Sequence, residues 1–201
     1  MSPGSHRTLA KLKLRSRTLL TLQLRGFPGG LAIPFHVFVG RASKPRLLLI
    51  AGVHGDEYES VAALHDIASE INPNDLSGTL IIVPVANPQA FYAGMRRNPV
   101  DLGDLNRSFP GNPEGTTSER VADLLFQNLV LGSDGVLSMH CWGKEANSCS
   151  LRGVLGGSHR GRPKELRCCA RVRFEVLAPI HLASRAVSCR RDTARNSFCR
   201  A

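Results

Sequence analysis

Apolar positions along the first third of the chain fall into three runs, TLLTLQLRG (18–26), LAIPFHVFVG (31–40) and PRLLLIAGVHG (45–55). Gly and Pro separate them, which predicts three strands joined by short turns. The LLLIAG stretch of the third run shows no alternation, the pattern of a strand buried on both faces of a sheet that carries helices on either side. Next, ESVAALHDIASEI places Val61, Leu64, Ile67, Ala68 and Ile71 at helical spacing, and NPNDLSG ends that helix with turn residues. TLIIVPVANP reads as another buried strand. TTSERVADLLFQNLVLG opens with Ser or Thr as a helix N-cap, carries an apolar stripe of Val121, Leu124, Leu125 and Leu129, and stops at Gly132. DGVLSMHCWG then gives a short strand running into His140. Strands and helices therefore alternate from residue 46 to 143, which predicts an α/β fold: a mostly parallel, doubly wound sheet with flanking helices.

Two stretches break this rhythm. QAFYAGMRRNPVDLGDLNRSFPGNPEG, between the second buried strand and the second helix, has neither period, and so long a loop inside a compact domain is usually functional. After Gly143 periodicity fades and Arg and Cys rise; only VRFEVLAPIHLA there reads as a strand. The organisation expected is a basic segment over 1–16, one domain over 17–145, and a divergent Arg- and Cys-rich tail over 146–201. A shifted reading frame in a GC-rich gene produces such a tail, and translating the other two frames beyond codon 145 tests that origin. A chain of 201 residues suits one domain with a substantial core.

Composition narrows the function. No apolar run approaches the length of a membrane span, and the first residues lack the hydrophobic core of a signal peptide, so a cytoplasmic protein without a membrane partner is expected. The net charge of +10 is uneven: residues 1–50 carry nine Lys or Arg and no acid, 51–145 carry five against thirteen acids, and 146–201 carry twelve against three. The segment holding the chemical motifs is thus acidic, and the basic character belongs to the ends. Aromatics are only 5% of residues and no reading motif interleaves them with the basic ends, so no specific nucleic-acid partner is expected. Cys141 stands alone in the middle; Cys149, Cys168, Cys169, Cys189 and Cys199 crowd the last part. That distribution gives neither a disulfide framework nor the paired spacing of a zinc finger.

In an open α/β sheet, ligands collect at the carboxyl ends of strands, where both His54 and His140 fall. His54 and Glu57 can reach one ion from a single turn, and His140 arrives from another strand end. Two imidazoles and a carboxylate are the donor set of a catalytic zinc, with a fourth position open for water. Asp56 is expected to cap the following helix, where acids meet orphan N–H groups and the helix dipole. In the loop, RRNPVDLGDLNRSFPG offers three arginines, which recognise carboxylates bidentately and stabilise developing oxyanions. A solvated basic loop with Asp101 and Asp104 as local partners is the plainer alternative on composition alone.

Taken together, GVHGDE, the NP at 87–88, RRNPVDLGDLNRSFPG and MHCWG resemble, in order and spacing, the succinylglutamate desuccinylase/aspartoacylase family, relatives of the zinc carboxypeptidases. The resemblance covers residues 17–145. It implies a zinc carboxypeptidase-like fold, truncated after residue 145, and His54, Glu57 and His140 as ligands of one Zn2+. It also implies Arg96, with Arg97 as the alternative, polarising the scissile carbonyl, and Asn106 with Arg107 gripping the substrate carboxylate. The activity implied is deacylation: hydrolysis of the amide, or an ester, of a small acylated amino acid or amine by a metal-activated water. Two departures stand out. The family's strand usually ends D-x-H where this one has Ser138, and no clear counterpart of the downstream proton-accepting Glu is legible; Glu175 is a poor candidate, too close to His140. The alternative is therefore a catalytically inactive zinc-binding remnant that lacks the base. Oligomeric state and the identity of acyl group and amine are not legible.

Overall fold

The computed structural model describes residues 9, 11–24, 26, 30–141 and, as backbone, 173–177. The cysteines of the tail and most of the 146–201 segment lie outside the described residues. Six strands form one sheet: β1 (Ser16–Leu24), β2 (Leu31–Val39), β3 (Arg46–Ile50), β4 (Thr79–Val83), β5 (Gly135–His140) and β6 (Arg173–Leu177), in the order β1-β2-β4-β3-β5-β6. The centre is parallel, with β3 between β4 and β5, and the flanking pairings β1·β2, β2·β4 and β5·β6 are antiparallel. The sheet is therefore mixed, with the expected parallel character confined to the three strands that bury both faces.

Sequence chemistry explains the layers. β4 is buried at every position and β3 at its last three, as their unbroken apolar runs require. Helix α1 (Tyr58–Glu70) buries Val61, Leu64 and Ala68 on one face of the sheet with Phe38, Leu80 and Ile82. After the short helices α2 (Pro88–Ala93) and α3 (Leu105–Ser108), helix α4 (Thr117–Leu125) covers the other face with Val121, Ala122 and Leu125 against Ile33, Phe35, Val37 and Ile81. Covering a strand set on both sides is how an α/β sheet removes its apolar surface from water. Thr116 caps α4 through a full capping box with Glu119, as the Ser/Thr signal predicts. Past Leu125 the helix widens into a π-helical turn over Phe126–Val130 before it stops.

The long loop is not structureless. α2 and α3 interrupt it, each capped by a local side chain: Asn87 Oδ1 accepts from Ala90 N at 3.3 Å and Asp104 Oδ1 from Asn106 N at 2.9 Å. Buried Asn98 ties the loop to α2, its Nδ2 donating to Gln89 Oε1 at 2.9 Å and to Asn87 Oδ1 at 3.3 Å. Asp101 ties it to α4, accepting from Ser118 N at 2.6 Å and Ser118 Oγ at 2.9 Å. These contacts are side chain to backbone or side chain to side chain, so they leave no periodic trace in the sequence.

Because the chain leaves β3 for β4 on one side and returns to β5 on the other, β3 marks the point where strand order reverses. Ligands of such sheets bind at the carboxyl ends beside that point. Residues 51–57 and His140 occupy it.

Candidate metal centre

His54, Glu57 and His140 are all buried, with exposures of 3%, 3% and 6%. Their donor atoms lie within 4.8 Å of one another, so the three residues could hold a metal ion. The sequence places Glu57 and His140 83 residues apart, and parallel pairing of β3 with β5 closes the gap.

Glu57 Oε1 is 2.8 Å from His54 Nδ1, and Glu57 Oε2 is 3.0 Å from His140 Nδ1. The far ring nitrogens are also held. His54 Nε2 is 3.2 Å from Asp104 Oδ1, and His140 Nε2 is 3.0 Å from Ser138 Oγ. An ionised Asp104 only accepts, so with a cation at the centre His54 would donate from Nε2 and turn the lone pair of Nδ1 inward. Ser138 Oγ can accept from His140 Nε2 in the same way. Two imidazole lone pairs then converge on a carboxylate that is itself an acceptor. A cation is what such a trio of acceptors fits, with Asp104 and Ser138 as the outer partners that orient metal-bound histidines.

Glu57 is held as a carboxylate even without an ion. Burial pushes the Glu57 carboxyl up, but the hydrogen bonds and charges of His140 and His54 outweigh it and bring it down to about 2. Asp104 is likewise raised by burial, then carried below its ordinary value by the charge and hydrogen bond of His54, by Arg96 and by Asn106 N–H. Next to His140, burial and the Glu59 carboxylate push the Cys141 thiol up to about 12, and its Sγ donates to Glu59 Oε2 at 3.0 Å. Cys141 is therefore a protonated thiol rather than a thiolate donor.

Of the two adjacent arginines, Arg96 meets the centre. Its Nη1 is 3.3 Å from His54 Nδ1 and 3.7 Å from Glu57 Oε1, and its Nη2 is 3.5 Å from Asp104 Oδ2. Arg97 turns away and donates to the Leu102 carbonyl at 3.4 Å. Asn106 and Arg107 sit on α3 directly after Asp104; Asn106 is partly buried and Arg107 exposed. Among the described residues no side-chain hydrogen bond or ion pair holds either of them. Glu175 occupies the β6 position opposite Ser138.

Two expectations change. Asp56 does not cap α1: the N-cap position is Glu57 itself, without a side-chain cap, because Glu57 is committed to the two histidines. Asp56 is instead buried with Oδ1 unpartnered among the described residues. Asp104 is more than a local loop partner, since it joins His54 to Arg96. Its position two residues before Asn106 in DLNR was a usable signal, and the Ser138–His140 spacing of two along a strand was another.

A buried His/Glu/His set at the strand ends of a mixed α/β sheet defines a class of protein able to hold a metal ion at that point. The chain belongs to the succinylglutamate desuccinylase/aspartoacylase family: the family model described as "Succinylglutamate desuccinylase/Aspartoacylase catalytic domain" matches residues 43–196, running past the 17–145 span in which the motifs are legible. A curated relative, N-alpha-acetyl-L-2,4-diaminobutyric acid deacetylase from Halomonas elongata, is 46% identical over 116 residues, 58% of this chain and 34% of that protein. The product-bound structure of the ectoine utilization protein EutE (DoeB) from Ruegeria pomeroyi shares 39% identity with a TM-score of 0.55, covering 62% of this chain and 40% of the other. A succinylglutamate desuccinylase/aspartoacylase structure from Rhodobacter sphaeroides shares 34% identity with a TM-score of 0.60, covering 69% and 45%. The chain thus spans less than half the length of each of these relatives.

Proposed function

We propose that this chain carries the metal-binding part of a zinc-dependent deacylase that hydrolyses the amide bond of small acylated amino acids or amines. The convergence of His54 Nδ1, His140 Nδ1 and the Glu57 carboxylate, with both rings oriented from behind, is the observation that carries the proposal. The domain reading of residues 17–145 as the hydrolase unit, a basic segment before it, a divergent tail after it and a cytoplasmic location belong to the same proposal.

His54, Glu57 and His140 would hold one Zn2+, which when bound supplies a Lewis acid and lowers the pKa of a coordinated water toward neutrality. Arg96, still 46% exposed in its side chain, can swing its guanidinium between Asp104 and an incoming acyl oxygen, whose developing negative charge it stabilises. Asp104 keeps Arg96 and His54 in mutual register. Asn106 and Arg107, with side chains uncommitted among the described residues, are the pair offered to the substrate carboxylate. The Nε2 contacts to Asp104 and Ser138 orient the two rings so that both Nδ1 atoms point at the centre.

A second reading, metal binding without turnover, has one observation in its favour. The carboxylates of Glu57 and Asp104 are both committed to histidines, so neither is free to take a proton from water. Metal analysis and a hydrolase assay separate the two. Bound zinc near one equivalent with release of amine from N-acetyl amino acids supports the deacylase, and loss of both in His140→Ala is expected. Stoichiometric zinc with no hydrolysis of acetylated or succinylated amino acids would establish the inactive metal protein, and absence of metal affinity would sink both.

A further inference from the structure

From Met95 to Val100 every residue is exposed except Asn98, which is fully buried. All of its polar groups are engaged. Nδ2 donates to Gln89 Oε1 at 2.9 Å and to Asn87 Oδ1 at 3.3 Å, and Oδ1 accepts from Val100 N at 2.9 Å. Its backbone N–H donates to the Gly103 carbonyl at 3.0 Å, and its carbonyl accepts from Leu102 N at 2.8 Å. A polar side chain buried in an exposed loop with each hydrogen bond made fixes the chain at that point.

What Asn98 fixes is the neck of a closed loop, where it pairs with Gly103. Arg96 lies two residues before the neck and Asp104 one residue after it, and their side chains meet again beside His54. Arg96 Nη2 is 3.5 Å from Asp104 Oδ2, and Nη1 is 3.3 Å from His54 Nδ1. Behind the neck stands Asn87, 1% exposed, whose N–H donates at 2.9 Å to the carbonyl of Gly52, two residues before His54. A circuit of hydrogen bonds thus runs from the end of β3 through Asn87 and Asn98 to the neck, and back through Arg96 to His54. Asp104 has holds of its own, as the cap of α3 and the partner of His54 Nε2. Arg96 is carried between two points only. One is Met95, whose backbone is bonded to Gly55 and Ala90, and the other is Asn98.

We propose that Asn98 is a positioning residue for Arg96: its buried amide sets where the guanidinium stands over His54, Glu57 and Asp104. Its effect on turnover rests on the deacylase reading, in which Arg96 stabilises the charge developing on the acyl oxygen. Misplacing such a group by about 1 Å costs about a hundredfold in rate. A loosened neck therefore lowers turnover while the metal donors, held from β3, β5 and Asp104, stay where they are.

The test uses the full chain and two readouts. The first needs no turnover: labelling by phenylglyoxal, which attacks the neutral guanidine, followed at each arginine by peptide mass mapping. Pairing with carboxylates favours the charged form, so Arg96 is expected to label more slowly than exposed Arg107, the internal reference. Asn98→Ala should bring Arg96 up to the rate of Arg107. Asn98→Asp, which keeps the bond from Val100 N and can accept from a turned Gln89 amide, should recover part of the protection. The second readout is kinetic: Asn98→Ala should lower kcat by about a hundredfold with KM and zinc affinity unchanged. Gln89→Ala removes one acceptor from a half-buried position, should move both readouts the same way by a smaller factor, and decides the matter if Asn98→Ala does not fold. Arg96 labelling as fast as Arg107 in the wild type overturns the proposal, as does wild-type protection persisting in the folded variants. A fall in kcat matched by an equal fall in zinc affinity also overturns it, since Asn98 would then support the whole centre. Failure of the deacylase reading looks different: labelling responds as expected while the wild type hydrolyses no acyl amino acid.

Discussion

Ser138 Oγ lies 3.0 Å from His140 Nε2, two positions back along the same face of β5. Where the family's strand is expected to end on an acid before the histidine, a neutral hydroxyl here does the orienting. Alternate residues of a strand share a face, so the spacing of two is what lets either side chain reach the ring. Ser138→Ala should leave the fold intact and weaken metal binding by about tenfold, at the lower end of what outer-partner substitutions cost. Competition titration against a chelator checks this, and an unchanged affinity would mean that His140 is oriented by packing alone.

Asp104 is expected to matter more, since one carboxylate serves both His54 and Arg96. Asp104→Ala should reduce metal affinity by roughly 10–100-fold and lower kcat as well. Asp104→Asn keeps the cap on α3 and is expected to recover folding but only part of the affinity, because an amide accepts less strongly than a carboxylate. Equal behaviour of the two variants would reduce Asp104 to a capping residue.

Asp101 links the site loop to the first turn of α4, and its removal has a defined pH signature. Burial raises its carboxyl, but the N–H groups of Ser118 and Gly103 and the nearby hydroxyls outweigh that and hold it below its ordinary value. A carboxyl depressed in the folded state contributes stability that is present above the unfolded value of about 3.9 and is lost as pH falls through the lower, folded one. Asp101→Ala should therefore cost about 1 kcal/mol near neutrality, the scale of a lost helix cap. Denaturant unfolding at a series of pH values should show the gap between wild type and variant closing below pH 4.

Gly55 is irreplaceable for steric reasons. A Cβ there would collide with the carbonyl of Ala90 and the nitrogen of Phe91, which are backbone and cannot rotate aside. Gly55→Ala should destabilise the chain by about 1–3 kcal/mol, as overpacking does, and displace the turn that carries His54 and Glu57. Thermal unfolding and metal titration should both register it; a variant with native stability and affinity would show that the turn and α2 can separate freely.

The sequence by itself determined a good deal. Unbroken apolar runs announced β3 and β4 and helical spacing announced α1 and α4, because those signals are local and periodic; His54, Glu57 and His140 announced a donor set that could hold a metal ion. Its limits are equally physical. The antiparallel flanks of the sheet are set by backbone pairing that the side-chain pattern does not specify, while the small helices α2 and α3 and the loop ties of Asn98 and Asp101 rest on single side-chain hydrogen bonds with no period to read. Only the tertiary structure decided that Arg96 rather than Arg97 faces the centre, that Asp104 and Ser138 stand behind the histidines, and that Asp56 caps nothing and is left buried. Neighbouring residues in a turn carry the same chemistry in the sequence; which carboxylate joins the two histidines and which is buried apart from them is settled by the direction each side chain takes once β3, β4 and β5 are packed together.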